Sequence, residues 1–469
     1  MSGKRTMLHT NCAMVGALSF VLADAAAAAT PFEPLAEHGS ARITLLDTSW
    51  GGSVATGRGA YYLVSEADSS YAWYSDGTRS RTFRIVEDSV RDAVPLADGG
   101  LAFVRSASAG AVVLEEWLPA AGVRELWRSS EDGVLHGLHR VGSALVLEVH
   151  PGTPTGCATE LYVLEAPDYS YVARQRSSPG CRAFGDWLAT ADAMYRVDQP
   201  NRTSNGTYWL TRFFPADATL QVVPGPAPDG RWDYPHRMQT AAHVFCGKDL
   251  SDYGTFSTLD MYCVRDDASV PIHVFPEGGV GVRLRDFGDF VSIGERVVTY
   301  GMRILDDGTE ESPGMTWSID GVPAAEQPLL GFDSWRCLAD RSDPQLLQGR
   351  SALVEYDHQL WLSDGTLAGT SMQLEYGVWE APCTGAGAWR RGAFEALLVA
   401  AGSLAHFDRA NRTLTSVPDV PPALVASQDI EHVVPQGTGF LIFRRAAAAH
   451  PAMVWVHFPG RIFQDGLEP

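Results

Sequence analysis

Trp232-Asp233-Tyr234-Pro235-His236-Arg237, Asp333-Ser334-Trp335-Arg336 and Trp389-Arg390-Arg391 each set aromatic rings beside arginines. An aromatic face stacks on the apolar face of a sugar, and a guanidinium grips carboxylates and hydroxyls. Such runs therefore suit glycan or carboxylate binding. Trp232, Tyr234, His236, Arg237, Trp335, Arg336, Trp389 and Arg390 are the ligand-binding candidates on this ground. The same residue types also serve as packed core and solvated rim, and that plainer reading carries the greater weight.

Catalytic patterns are scarce. There is no G-x-S-x-G to form a nucleophile elbow and no H-E-x-x-H to hold a catalytic zinc. His136 and His139 are three apart, and on a strand that spacing points them to opposite faces. Only Lys4 and Lys248 are lysines, and nothing singles out Lys248 for covalent chemistry. A glycosidase or lyase needs paired carboxylates, and among 56 acidic residues the sequence cannot name a pair. No catalytic residue is assigned.

Calcium is the best metal idea, and no other cofactor is expected. Asp306-Asp307-Gly308-Thr309-Glu310-Glu311 is an acidic turn whose candidate ligands are Asp306, Asp307 and Glu310. It lacks the D-x-[DN]-x-[DN]-G spacing that converges oxygens on one ion, so a plain acidic turn is the stronger reading.

These residues must be positioned by strands. The chain carries 46 glycines and 28 prolines, punctuation that fits many short strands. Gln359-Leu360-Trp361-Leu362 is an apolar run followed by the turn Ser363-Asp364-Gly365-Thr366. An unbroken apolar run on a short strand implies burial on both faces, as between stacked sheets. Weaker copies recur with aromatic or other markers near 73, 116, 162, 209, 262, 317, 361, 406 and 455, a spacing of about 48. The pattern predicts an all-β chain forming a single β-propeller of four-stranded blades. Nine units are counted, within a range of seven to nine. Arg42 to Asp47 looks like an outer strand without a blade. It is expected to complete the last blade and close the ring.

The net charge of −20 argues against nucleic acid and anionic membrane surfaces as partners. Lys4-Arg5, the apolar run from Ala13 to Ala23 and the small residues Ala25 to Ala29 read as a secretory leader over 1–29. The propeller is placed at 40–459 and a short tail at 460–469. No later segment is long and apolar enough for a membrane helix. The expectation is an exported protein, periplasmic or extracellular, with a protein or glycan partner at the cell exterior.

Cys157, Cys181, Cys246, Cys263, Cys337 and Cys383 remain after the leader. An even number in an exported chain points to disulfides, with 15 connectivities open. Nearest-neighbour pairing gives Cys157–Cys181, Cys246–Cys263 and Cys337–Cys383. No C-x-x-C pair supports zinc.

Residues 359–370 resemble the ELWxxDGT repeat of exported bacterial, hyalin-like repeat proteins, with Gln359 in place of Glu. Tyr71-Ala72-Trp73-Tyr74-Ser75-Asp76-Gly77-Thr78 is a second good copy. The resemblance implies a propeller-like repeat and export, and says little of activity. The expected function is a non-catalytic binding or surface-interaction propeller. The alternative is a propeller enzyme, hydrolase or lyase, acting on an extracellular glycan.

Overall fold

The computed structural model describes residues 32–46, 59–96, 98–106, 111–129, 133–151, 159–177, 182–183, 187–199, 208–225, 232, 235–241, 243–250, 259–269, 272–273, 283–285, 291–293, 296–304, 310–319, 327–328, 352–356, 359–363, 368, 371–375, 387–391, 395–400, 403–408, 413–417, 420–425, 429–436, 439–447 and 450–457. For many strand residues in the later sheets the backbone alone is described.

The described strands make nine antiparallel sheets in chain order. Within the first eight, strands neighbour one another as they follow in sequence, except that in the fourth and sixth the first two short strands both pair with the third. The first sheet holds Arg42–Leu45, Ala60–Glu66, Ser69–Ser75 and Thr82–Arg84. The fourth holds Arg182–Ala183 and Leu188–Ala189 end to end along one edge of Met194–Gln199, then Trp209–Phe214 and Thr219–Val223. The fifth holds Pro235–Ala241, Val244–Leu250, Leu259–Arg265 and Ile272–His273. The chain is all-β, and these sheets are the blades of a β-propeller. Each of the nine sequence markers falls on the penultimate strand of its sheet.

The burial pattern follows from this stacking. Val112–Leu118 is buried along six consecutive residues and Gly439–Arg444 along all six, since both faces meet a neighbouring sheet. The outermost strand Gly122–Arg128 is largely exposed. Apolar seams join the first and second sheets (Tyr74, Phe103, Trp117), the second and third (Leu114, Leu138, Leu147) and the third and fourth (Val146, Val163, Phe213). Another fills the space between the fourth and fifth (Tyr195, Trp232, Phe245).

One expectation is corrected. Arg42–Leu45 is not the strand that completes the last blade. It pairs with Ala60–Glu66 as the innermost strand of the first sheet. The completing strand is Phe32–Glu37, which pairs antiparallel with Met453–His457 and fills the outer place of the ninth sheet. The sheet-bearing part therefore starts ahead of residue 40. Arg42 to Leu46 reads as outer because its partner strand lies beyond the thirteen intervening residues. Leu35, Ile43, Tyr62, Phe443 and Val454 share one core, so the first sheet packs on the last.

The repeat motif is structural where its turn is described. Asp76 Oδ1 accepts from the Thr78 backbone N–H at 3.0 Å and from the Thr78 hydroxyl at 2.7 Å. Gly77 sits at φ +89°, where glycine lacks the steric cost of other residues. Gln359–Ser363 pairs with Ala352–Tyr356 and Ser371–Glu375, as its motif predicts. Cys246 and Cys263 lie opposite each other on adjacent strands and are disulfide-bonded. Cys157, Cys181, Cys337 and Cys383 lie outside the described residues.

Candidate functional site

A polar cluster forms where three turns of the fourth and fifth sheets meet on one side of the blades. The first is the turn between Leu188–Ala189 and Met194–Gln199, closed by a Thr190 N–H to Ala193 O bond of 2.8 Å. It carries Asp192. The second joins Pro235–Ala241 to Val244–Leu250 and carries His243. The third follows Leu259–Arg265 and carries Asp266, whose backbone N–H donates to His243 O at 3.0 Å. Antiparallel strands send alternate turns to the same side, which is why these three converge.

His243 Nδ1 lies 3.0 Å from Asp192 Oδ2 and 3.7 Å from Asp266 Oδ2. The Asp192 and His243 side chains are 63% and 52% exposed, whereas that of Asp266 is 6% exposed. Asp266 is held from below. Its Oδ1 accepts from the Tyr195 hydroxyl at 2.7 Å and the Thr190 hydroxyl at 3.0 Å. Arg212, itself buried, sends Nη1 to the carbonyls of Arg265, Asp266 and Ala268 at 3.0, 3.1 and 2.6 Å. That cation fixes the third turn to the fourth sheet. Tyr195 stacks on Phe245 at 5.0 Å, which ties the support to the seam core.

Burial raises the Asp266 carboxyl above the usual aspartate range, and the charge of Asp192 adds to this. The Tyr195 and Thr190 hydrogen bonds and His243 oppose it. Burial likewise raises the Tyr195 phenol, and the neighbouring Asp266 charge adds to it. The arrangement offers one imidazole nitrogen and two carboxylate oxygens on a rigid base, open to solvent on the outer side.

Other buried charges are neutralised inside the sheets. Arg196 bonds Glu148 and Asp198, and Thr211 donates to Asp198 at 2.6 Å. Arg105 pairs with Glu115 and Arg124 with Glu116, both at 2.5 Å. The Arg105 and Arg124 pairs lie within the second sheet, and the Arg196–Glu148 pair ties the third sheet to the fourth.

The sequence candidates fall elsewhere. Trp232 is 1% exposed, donates its indole N–H to Val223 O at 3.3 Å and packs edge-on to Tyr262. It is a packing residue. It bridges to Tyr208, at the start of the strand whose far end carries Phe213 opposite Met194, so it sits at the opposite end of the sheet from Asp192. His236 and Arg237 lie on Pro235–Ala241, and Trp389 and Arg390 on Gly387–Arg391. Only their backbones are described. Glu310 opens Glu310–Ile319 and pairs with Ile304. Tyr234, Trp335, Arg336, Asp306 and Asp307 lie outside the described residues. Asp192, His243 and Asp266 escape sequence reading because they are 51 and 23 residues apart and share no motif. The usable signal is parity: His243 directly precedes a strand, Asp266 directly follows one, Asp192 stands two residues before one, and all three occupy turns of one side.

No family model matches the chain, and no curated protein matches it. Among solved structures, the β-propeller domain of the Trilobed protease from Pyrococcus furiosus is similar at 9% identity and TM-score 0.37, over 81% of this chain and 99% of that one. The tricorn protease is similar at 12% identity and TM-score 0.36, over 82% of this chain but 36% of that one. Oligogalacturonate lyase from Vibrio parahaemolyticus is similar at 9% identity and TM-score 0.37, over 90% of this chain and 98% of that one. Likeness at this level transfers no activity, and the fold stands on its own strand pairing.

Proposed function

We propose that the chain is an exported β-propeller of the ELWxxDGT-repeat kind that binds a glycan or protein at the cell exterior without catalysing a reaction. In this reading its nine sheets are the blades of a closed ring, and residues 1–29 are the leader. The binding face is the side that carries Asp192, His243 and Asp266. One observation carries the reading: the repeated sheets spend their buried charges on each other, whereas this cluster presents exposed polar groups on a base fixed by Arg212 and Tyr195. Rigid support under exposed groups is what recognition requires. Glycan-array binding of the intact chain, compared with an Asp192→Ala/His243→Ala double variant, tests it. The expected result is saturable binding that the variant loses. Binding that the variant retains removes the site, and an array without hits together with no saturable protein partner removes the function.

A second reading, a hydrolase or lyase acting on an extracellular glycan, draws on the same pair of carboxylates with an imidazole between them. Turnover of an acidic or neutral polysaccharide, abolished by Asp266→Asn, would favour it over simple binding.

A further inference from the structure

We infer that Asp192, His243 and Asp266 form a binding site for a divalent first-row transition cation of the zinc or manganese class. The inference deepens the binding-face reading and rests on it for the role of the site, but not for its chemistry.

Three features carry it. The ligand atoms converge: one nitrogen and two carboxylate oxygens lie within 4.8 Å of one another. An ion with bonds of about 2.0–2.2 Å holds neighbouring donors about 3–3.5 Å apart, close to the 3.0 and 3.7 Å that separate His243 Nδ1 from the two carboxylates, so a small side-chain rotation closes the set. Next, Asp266 Oδ2 is buried, accepts no hydrogen bond from any described residue and points at His243 Nδ1 from 3.7 Å. That distance is too long for a hydrogen bond, so the His243–Asp192 pair leaves this oxygen unanswered. A cation placed between the three groups answers it. Finally, the other oxygen of Asp266 is already oriented by Tyr195 and Thr190, the outer-shell support that ligating carboxylates use.

The donor set decides the class of ion. Calcium and magnesium prefer all-oxygen surroundings, whereas imidazole suits zinc and its neighbours, and the two carboxylates also suit manganese. The exposure of Asp192 and His243 leaves further coordination positions toward solvent, where a hydroxyl or carboxylate of a bound glycan or protein would enter. A dication also offsets the repulsion between Asp192 and Asp266, which the cluster otherwise carries beside a buried carboxyl.

The test is calorimetric titration of the tag-free, EDTA-stripped chain with Zn²⁺ and Mn²⁺, with Ca²⁺ as the contrast. One equivalent of a transition cation is expected, bound more tightly than calcium. His243→Ala and Asp266→Asn should each weaken it roughly 100-fold or more, and Tyr195→Phe, which leaves every ligand in place, about 10-fold. His243 is exposed, so its variant keeps the fold. Absence of saturable uptake, or uptake unchanged in both His243→Ala and Asp266→Asn, overturns the proposal. Glycan or protein binding that persists in EDTA while cation uptake fails would sink the cation and spare the binding face. Cation uptake lost on mutation, with array binding unaffected by Asp192→Ala/His243→Ala, would do the reverse.

Discussion

The seam between the ninth and first sheets and the seam between the fourth and fifth are built on the same frame and filled in opposite ways. At the first, Leu35, Tyr62, Phe443 and Val454 make an apolar core, and His38 stands edge-on to Trp73 and Tyr62 at 4.7 and 5.7 Å. Neither His38 Nε2 nor the Tyr62 hydroxyl has a hydrogen-bond partner among the described residues. Burial lowers the His38 imidazole to about 4, so it is neutral near pH 7 and acts as an aromatic filler. At the second seam His243 lies between two carboxylates and is half open to water. One frame thus houses a histidine that packs and a histidine that can ligate. The blade scaffold does not choose between them. The turn residues do.

Four experiments test this contrast. The largest effect belongs to the packed seam. Phe443 is fully buried, and Phe443→Ala should cost about 3–5 kcal/mol in denaturant unfolding. A loss below about 1 kcal/mol would show that the first and last sheets contribute little to each other. His38 gives the pH signature of the same seam. Its unfolded value is 6.5 and its folded value about 4, so the unfolded chain takes up a proton first as pH falls through that window. The wild type should therefore lose on the order of 3 kcal/mol relative to His38→Phe as pH falls from 6.5 to 4, with no such loss above 6.5, where the imidazole is neutral in both states. Parallel pH profiles of the two proteins would contradict a buried neutral imidazole.

The disulfide comes next. It braces the two central strands of the fifth sheet, next to the polar seam. Cys246→Ser/Cys263→Ser should lower stability by about 2–3 kcal/mol, read as a shift in the unfolding midpoint against the wild type under oxidising conditions. The smallest effect is the most telling. His243→Ala should change stability by no more than about 0.5 kcal/mol in EDTA, because the ring is exposed and supports no core. A larger loss would make His243 a structural residue and erase the difference between the two seams.

Much of the scaffold was legible. Apolar runs such as Leu360-Trp361-Leu362, followed by Asp-Gly turns, mark strands and turns by local chemistry alone, and the described sheets lie where these runs predict strands. The pairing of Cys246 with Cys263 followed from their placement on neighbouring strands. The completing strand was misassigned because Phe32–Glu37 and Arg42–Leu45 are both short and amphipathic, and only long-range register tells them apart. The cluster at Asp192 was illegible for a related reason. Its three residues are unremarkable turn residues in sequence, and their approach is set by how two sheets stack. Trp232 misled in the other direction, since a tryptophan beside charged residues looks like a ligand platform until its neighbours Tyr208, Val223 and Tyr262 are seen to enclose it.

The pairing of Phe32 with His457 brings the start of one strand beside the end of another. A linker of a few residues from 457 back to 32 would therefore make the order of blades cyclic. New ends could then be cut at an exposed turn such as Ala216-Asp217, with every strand pair kept. Circular permutants of that kind would turn the covalent order of the blades into a variable, and would show whether the fold depends on which blade is made first.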